Sequence, residues 1–236
     1  MVRSGPLSPA RETLRLAPGL ALVFDLDGVI VNSMPVHRIA WQRYLKSIGV
    51  VTQDGAQDIV ARMHGRRNDE IVRDFLGPAA TPEEVFEHGA AKERLFRELM
   101  GEGLGEALVP GIAAWLARTA GLPVALATNA ERANIDFVLN RLGLRSYFPV
   151  IVDGSQVARP KPAPDVYLQA ARELGIPPRH CIVFEDSPVG VESARAAGMR
   201  VVGVLTHPSP LDDIQFAVSD FLDPDLERWL AGQRAE

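Results

Sequence analysis

Two carboxylates two residues apart, Asp25-Leu-Asp27-Gly28, stand at the end of an apolar run, Leu20-Ala-Leu-Val-Phe24. Three further polar groups follow other apolar runs, or the loop behind one: Thr128-Asn129, Lys161 within Arg159-Pro-Lys-Pro-Ala-Pro-Asp165, and Glu185-Asp186. These residue types suit a phosphoryl group. Asp25 and Asp186 offer the hard carboxylate oxygens that Mg²⁺ takes. A cation there would neutralise both an attacking carboxylate, for which Asp25 is the candidate, and the phosphoryl oxygens it must approach. Lys161 adds a positive point charge and Thr128 a hydroxyl donor, both matched to charge that must be stabilised during transfer. Asp27 lies where the strand runs out into a glycine turn, and can protonate a leaving oxygen and later activate a water. Each group has a plainer reading alone: a turn at Asp-x-Asp-Gly, helix caps at Thr-Asn and at Glu-Asp-Ser-Pro, a solvated loop lysine. Their joint occurrence at successive strand ends is what sets the plain readings against the chemical one.

The elements that must carry these groups are legible as apolar runs at 20–24, 123–127, 150–152, 181–184 and 201–205. Continuous rather than alternating apolar character marks strands covered on both faces, as in a parallel sheet. Helical patterns at 112–119, 131–142, 165–174 and 190–197 separate them, and strand–helix alternation predicts a doubly wound α/β sheet. Ligands of such sheets bind outside the carboxyl ends of the strands, so one rule gathers four distant segments into one site. Between the first two strands the patterns are helical only, at 37–48, 57–62, 69–76 and 82–99. The expected organisation is a Pro-, Ser- and Arg-rich leader at 1–18, an α/β core from 19–33 and 106–236, and an inserted α-helical cap at 34–105.

Bulk properties narrow the partners. In 236 residues, 47% are apolar and 23% charged, as in ordinary globular proteins with a buried core. A net charge of −5 argues against a nucleic-acid binder, which needs a basic face. Cys181, the single cysteine, sits in an apolar run and reads as a packing residue. No stretch approaches a membrane span, and the first residues lack an apolar signal core, so a cytoplasmic location is the default expectation.

Taken together, the motifs resemble those of the haloacid dehalogenase superfamily, in its branch with a helical cap inserted after the first motif, which includes β-phosphoglucomutases and phosphoglycolate phosphatases. The resemblance rests on Phe24-Asp-Leu-Asp-Gly-Val-Ile-Val31, Ala127-Thr-Asn-Ala130, Arg159-Pro-Lys-Pro-Ala-Pro-Asp165 and Phe184-Glu-Asp-Ser-Pro-Val-Gly190, continuing to Gly198. It implies an aspartyl-phosphate on Asp25 and acid/base work by Asp27, whose backbone carbonyl would also meet Mg²⁺. It implies a phosphoryl group held by Thr128 and Asn129, and Lys161 balancing charge beside it. Asp186 would be a direct metal ligand, and Glu185 a ligand directly or through water. Two departures stand out: Asn32 where many relatives carry Asp, and Thr128 where Ser is common. The second aspartate, Asp27, argues against dehalogenation, because dehalogenases of the superfamily lack it.

The substrate would be set by the cap. His37 and Trp41 lie four apart on a predicted helix and share a face. In the similar β-phosphoglucomutases a His and a Trp take this spacing, the one tuning the aspartate and the other lining the pocket. Packing between cap helices is the competing explanation. The short basic segment His64-Gly65-Arg66-Arg67-Asn68 is a candidate contact for the far end of a substrate, including a second phosphate. The expectation is a Mg²⁺-dependent phosphatase for a small phosphorylated metabolite, such as a sugar phosphate. A sugar-phosphate mutase and a non-catalytic metabolite sensor are the alternatives, and the oligomeric state is left open.

Overall fold

The structure, a computed structural model, describes residues 13–50, 66, 68–206 and 209–235. Six strands form one sheet: β1 (Ala21–Phe24), β2 (Val124–Ala127), β3 (Val150–Val152), β4 (Cys181–Glu185), β5 (Arg200–Val204) and β6 (Phe216–Val218). Their order is β3-β2-β1-β4-β5-β6, with every neighbouring pair parallel. The helices are α1 (Met34–Ser47), α2 (Asn68–Leu76), α3 (Pro82–Gly103), α4 (Ile112–Leu116), α5 (Arg132–Arg141), α6 (Asp165–Leu174), α7 (Pro188–Ala196) and α8 (Pro224–Gly232).

Side-chain alternation explains why the central strands are apolar throughout. Leu22, Phe24, Ile182 and Phe184 point to one face, where Ile112, Trp115, Ile135 and Leu226 bury them. Ala21, Val23, Cys181 and Val183 point to the other, under Val166, Tyr167 and Ala170 of α6 and Val191 and Ala194 of α7. Both faces are dry, which is the doubly wound arrangement. Phe24 and Phe184, paired across β1 and β4, stack at 4.6 Å with Trp115 edge-on to both. This aromatic layer lies directly beneath the residues that follow each strand.

Among the described residues, the regular elements of the insertion between β1 and β2 are helices, as its patterning implies. Trp41 and Leu45 of α1, Ile71 and Val72 of α2 and Val85 of α3 close a small apolar cluster of their own. Thr81 starts α3 with a capping box: its Oγ accepts from Glu84 N, and the Glu84 carboxylate accepts from Thr81 N. Further along the same helix, Phe96 and Met100 join the core beneath the sheet's first face. So α3 spans from the cap to the core.

Three features depart from the sequence expectations. β6 is only three residues with an exposed centre, Ala217, too short to show a run. α8 carries its signals in plain view, with Asp223 as N-cap, Pro224 in the first turn and Leu226 and Leu230 buried four apart. Within the segment read as a leader, Leu14 is buried and its N–H donates to Arg118 O at 2.8 Å, so that residue belongs to the core. The helix expected at 57–62 lies outside the described residues.

Candidate active site

Asp25 follows β1, and its N–H donates to Phe184 O at 3.1 Å, which sets it beside the end of β4 where Glu185 and Asp186 stand. Lys161 comes from the loop before α6, and its ammonium donates to Asp25 Oδ1 (2.9 Å), Glu185 Oε1 (2.6 Å) and the Tyr167 hydroxyl (2.9 Å). Tyr167 in turn donates to Glu185 Oε1 at 2.8 Å. The other oxygen of Glu185 accepts from the N–H groups of Asp186 and Ser187 and from Ser187 Oγ. A Cβ on Gly190 would sit 1.7 Å from Glu185 Oε1, so the glycine leaves room for this carboxylate. Asn129 Oδ1 accepts from Lys161 N at 3.2 Å, joining the loop after β2 to the loop before α6. Thr128, buried beside it, caps the turn by accepting from Ala130 N.

Electrostatics at this edge are unbalanced. Burial pushes the Asp25 carboxyl up to about 7, with Lys161 opposing and Glu185 and Asp27 adding to the rise. Burial, with the neighbouring carboxylates Glu185, Asp25 and Asp27, also holds Asp186 well above the usual range. For Lys161, burial alone would lower the ammonium, yet Asp25 and Glu185 keep it raised. One buried cation therefore serves three buried acids, and the oxygens of Asp25, Glu185 and Asp186 lie within 4.8 Å of one another. Such a set of hard donors could hold a divalent cation.

Asp27 faces the cap side. Burial would raise its carboxyl, but the approach of His37 and a hydrogen bond from Ser33 hold it below the usual value. His37 Nε2 is 3.8 Å from Asp27 Oδ1, and its ring stacks on Phe96 at 3.7 Å. His37 and Trp41 share the face their spacing implies, and both line the cavity over the strand ends. Arg66 and Asn68 line it too, Arg66 pairing with Glu70 and Asp74 of α2. His64, Gly65 and Arg67 lie outside the described residues. Asn32 is exposed, and its N–H donates to Ala107 O.

Four cavity or support residues escaped the sequence reading: Lys92, Glu93, Asn134 and Tyr167. Lys92 and Glu93, both buried on α3, form an ion pair. Lys92 Nζ also lies 3.2 Å from His37 Nδ1 and 4.9 Å over the Trp41 ring. Burial would raise Glu93, yet Lys92, His37 and Asn134 hold it at about 2. The signal for Lys92 was available. It occupies the helix stripe Val85, Gly89, Lys92, Phe96, Met100, whose other members are apolar or glycine.

A parallel sheet that delivers acids and one buried lysine to its carboxyl edge, beneath an inserted helical cap, is the frame of an α/β phosphoryl-handling enzyme. The chain belongs to the haloacid dehalogenase-like hydrolase family, whose model matches residues 20–198. It is 34% identical over 186 residues to the fructose-1-phosphate phosphatase YqaB of Escherichia coli, covering 78% of this chain and 95% of that one. With the β-phosphoglucomutase of Bacillus subtilis it shares 31% identity over 189 residues, 78% and 82% of the two chains. A crystal structure of a CbbY mutant from Rhodobacter sphaeroides in complex with xylulose-(1,5)bisphosphate superposes with a TM-score of 0.72 at 29% identity, covering 85% of this chain and 94% of that one. The chain is thus a phosphoric monoester hydrolase or a phosphomutase.

Proposed function

We propose that the chain is a Mg²⁺-dependent phosphatase that passes the phosphoryl group of a small sugar phosphate first to Asp25 and then to water. The observation that carries this reading is the Lys161 ammonium held between Asp25 and Glu185, with Asp186 alongside. Mg²⁺ fits the donor set: Asp25, Asp186 and the backbone carbonyl of Asp27 would hold it. Glu185, already accepting five hydrogen bonds, would support the site from behind or through water. When bound, the ion would supply positive charge to the phosphoryl oxygens.

The chain's own residues do the rest. An Asp25 oxygen attacks phosphorus, and the ester oxygen leaves with a proton from Asp27, giving an aspartyl-phosphate and a free alcohol. Asp27 then takes a proton from water as that water attacks the same phosphorus, and Asp25 departs as carboxylate. Thr128 and Asn129 bind the phosphoryl oxygens, and Lys161 keeps Asp25 and the phosphoryl group from repelling one another. Trp41, His37, Arg66 and Asn68 line the leaving-group side, and we read residues 34–105 as a cap that moves against the core at 19–33 and 106–236. A small phosphorylated metabolite as partner belongs to the same reading, which the sugar-phosphate relatives support, and a cytoplasmic location goes with it.

The test is a panel of sugar phosphates and p-nitrophenyl phosphate. Free phosphate should appear with Mg²⁺, cease with EDTA and return on adding Mg²⁺; turnover that survives EDTA excludes the metal. If glucose 1-phosphate with catalytic glucose 1,6-bisphosphate yields glucose 6-phosphate and no free phosphate, the chain is a mutase. No turnover of either kind favours a sensor.

Gly28 offers a second check. It has φ +76°, and a Cβ there would lie 1.9 Å from Asp186 Oδ2 and 2.2 Å from its Cγ. Gly28→Ala must displace the Asp186 carboxylate, so metal affinity or turnover should fall about 10–100-fold, the usual cost of disturbing a ligand's support. Mg²⁺ titration of activity measures it, and an unchanged half-saturation would remove Asp186 from the metal site.

A further inference from the structure

We propose that Glu93 is a positioning residue: through Lys92 it sets the tautomer in which His37 faces Asp27, and through Asn134 it ties that arrangement to the core. The proposal rests on the phosphatase reading only for its kinetic test. Glu93 is 2% exposed and all its partners are polar side chains. One oxygen accepts from Lys92 Nζ and Asn68 Nδ2, and the other from Asn134 Nδ2 at 2.7 Å. Asn134 belongs to α5 of the core, and its own oxygen accepts from Arg97 of α3 at 2.6 Å. Arg97 also reaches Glu131, at the start of α5, at 2.7 Å. Glu93 is therefore the joint where α2, α3 and α5 meet.

The consequence for His37 follows from donor bookkeeping. An ammonium has three donors and no acceptor. Lys92 Nζ lies 3.2 Å from His37 Nδ1, so that nitrogen must present its lone pair. A neutral imidazole then carries its proton on Nε2, the nitrogen that faces Asp27. Phe96, one helical turn beyond Lys92 on α3, fixes the ring plane by stacking. Lys92 can act this way only as a cation, and Glu93 is the carboxylate that stays beside it in a buried setting. Without that charge, Nδ1 loses its fixed donor. The 3.8 Å approach of Asp27 to Nε2, longer than a hydrogen bond, then favours one tautomer, and residue 93, whose carboxylate lies 4.0 Å from Nδ1, favours the other.

Glu93→Gln tests this with two readouts. Proton–nitrogen correlation spectra of nitrogen-labelled protein, with His37 assigned by its loss in His37→Asn, should show the Nε2–H tautomer in the wild type and a mixture in Glu93→Gln. In kinetics, kcat/KM covers the steps through leaving-group departure. It should fall about tenfold more for phenyl phosphate than for p-nitrophenyl phosphate, because the better leaving group needs less help from Asp27. A protonated Nδ1 in the wild type, or an unchanged tautomer in Glu93→Gln, overturns the proposal. Equal losses on both phosphates also overturn it, by assigning Glu93 to folding alone. Should Glu93→Gln fail to fold, the uncharged pair Lys92→Gln/Glu93→Gln gives the same test, and retention of the wild-type tautomer there overturns the proposal too. The spectra need no turnover, so they decide on Glu93 even if the phosphatase reading fails.

Discussion

Asp25→Asn should bring turnover of every phosphomonoester to the uncatalysed background, a loss of at least about 10⁴-fold, as when a covalent nucleophile is removed. Oxygen is still present at the position, but the amide oxygen carries no charge, and its attack would leave a cationic acyl species. The substitution is nearly isosteric, so the hydrogen bond from Lys161 to Oδ1 can persist. Replacing a buried acid by an amide also removes one of three crowded carboxylates, so substrate should still bind, and the fold should lose little. Binding without turnover is therefore the signature, read by hydrolysis of p-nitrophenyl phosphate and by calorimetric titration with a substrate. In the wild type, acid quenching followed by mass spectrometry should find one phosphoryl group on the peptide that holds Asp25. Turnover in Asp25→Asn, or an adduct on another peptide, removes the covalent route.

How much of this was legible depended on how each residue was buried. Strands β1, β2, β4 and β5 could be read because both faces are dry, and no polar residue interrupts them before the strand ends. The polar residues that end them were therefore conspicuous, and parallel topology placed them together. β6 escaped because three residues with an exposed centre carry no period. Tyr167 escaped for a different reason. As the buried face of α6 it is indistinguishable in pattern from Val166 and Ala170, and its hydroxyl meets Lys161 only through the fold. Glu93 shows the same limit. An acid following a lysine on a helix normally reads as solvated surface, and only the packing of α3 against α1 and α5 reveals that both are dry. Charge placed in a stripe of apolar residues is the one sign the sequence offered, at Lys92.

Lys161→Met should both unfold the protein more easily and silence it. Methionine keeps the length and most of the volume of the lysine stem, so little cavity is opened, and what is removed is the charge. The ammonium is 4% exposed as a residue and contacts Asp25, Glu185 and Tyr167 within 2.9 Å. Removing one partner of a buried ion pair leaves its acids uncompensated and costs about 3–5 kcal/mol. Urea unfolding at neutral pH should record a loss of that size. Turnover should fall by at least about 10²-fold, since the positive charge aimed at the phosphoryl group is gone. Mg²⁺ separates the two effects. A cation held by Asp25 and Asp186 would bind only the folded chain and restore stability by mass action, so the melting midpoint of Lys161→Met should rise with Mg²⁺ more steeply than that of the wild type. Turnover should not follow it, because the phosphoryl group still lacks the ammonium beside Asp25. If Mg²⁺ restored turnover together with stability, the lysine would be a structural cation alone. Charge balance during transfer would then have to come entirely from the metal.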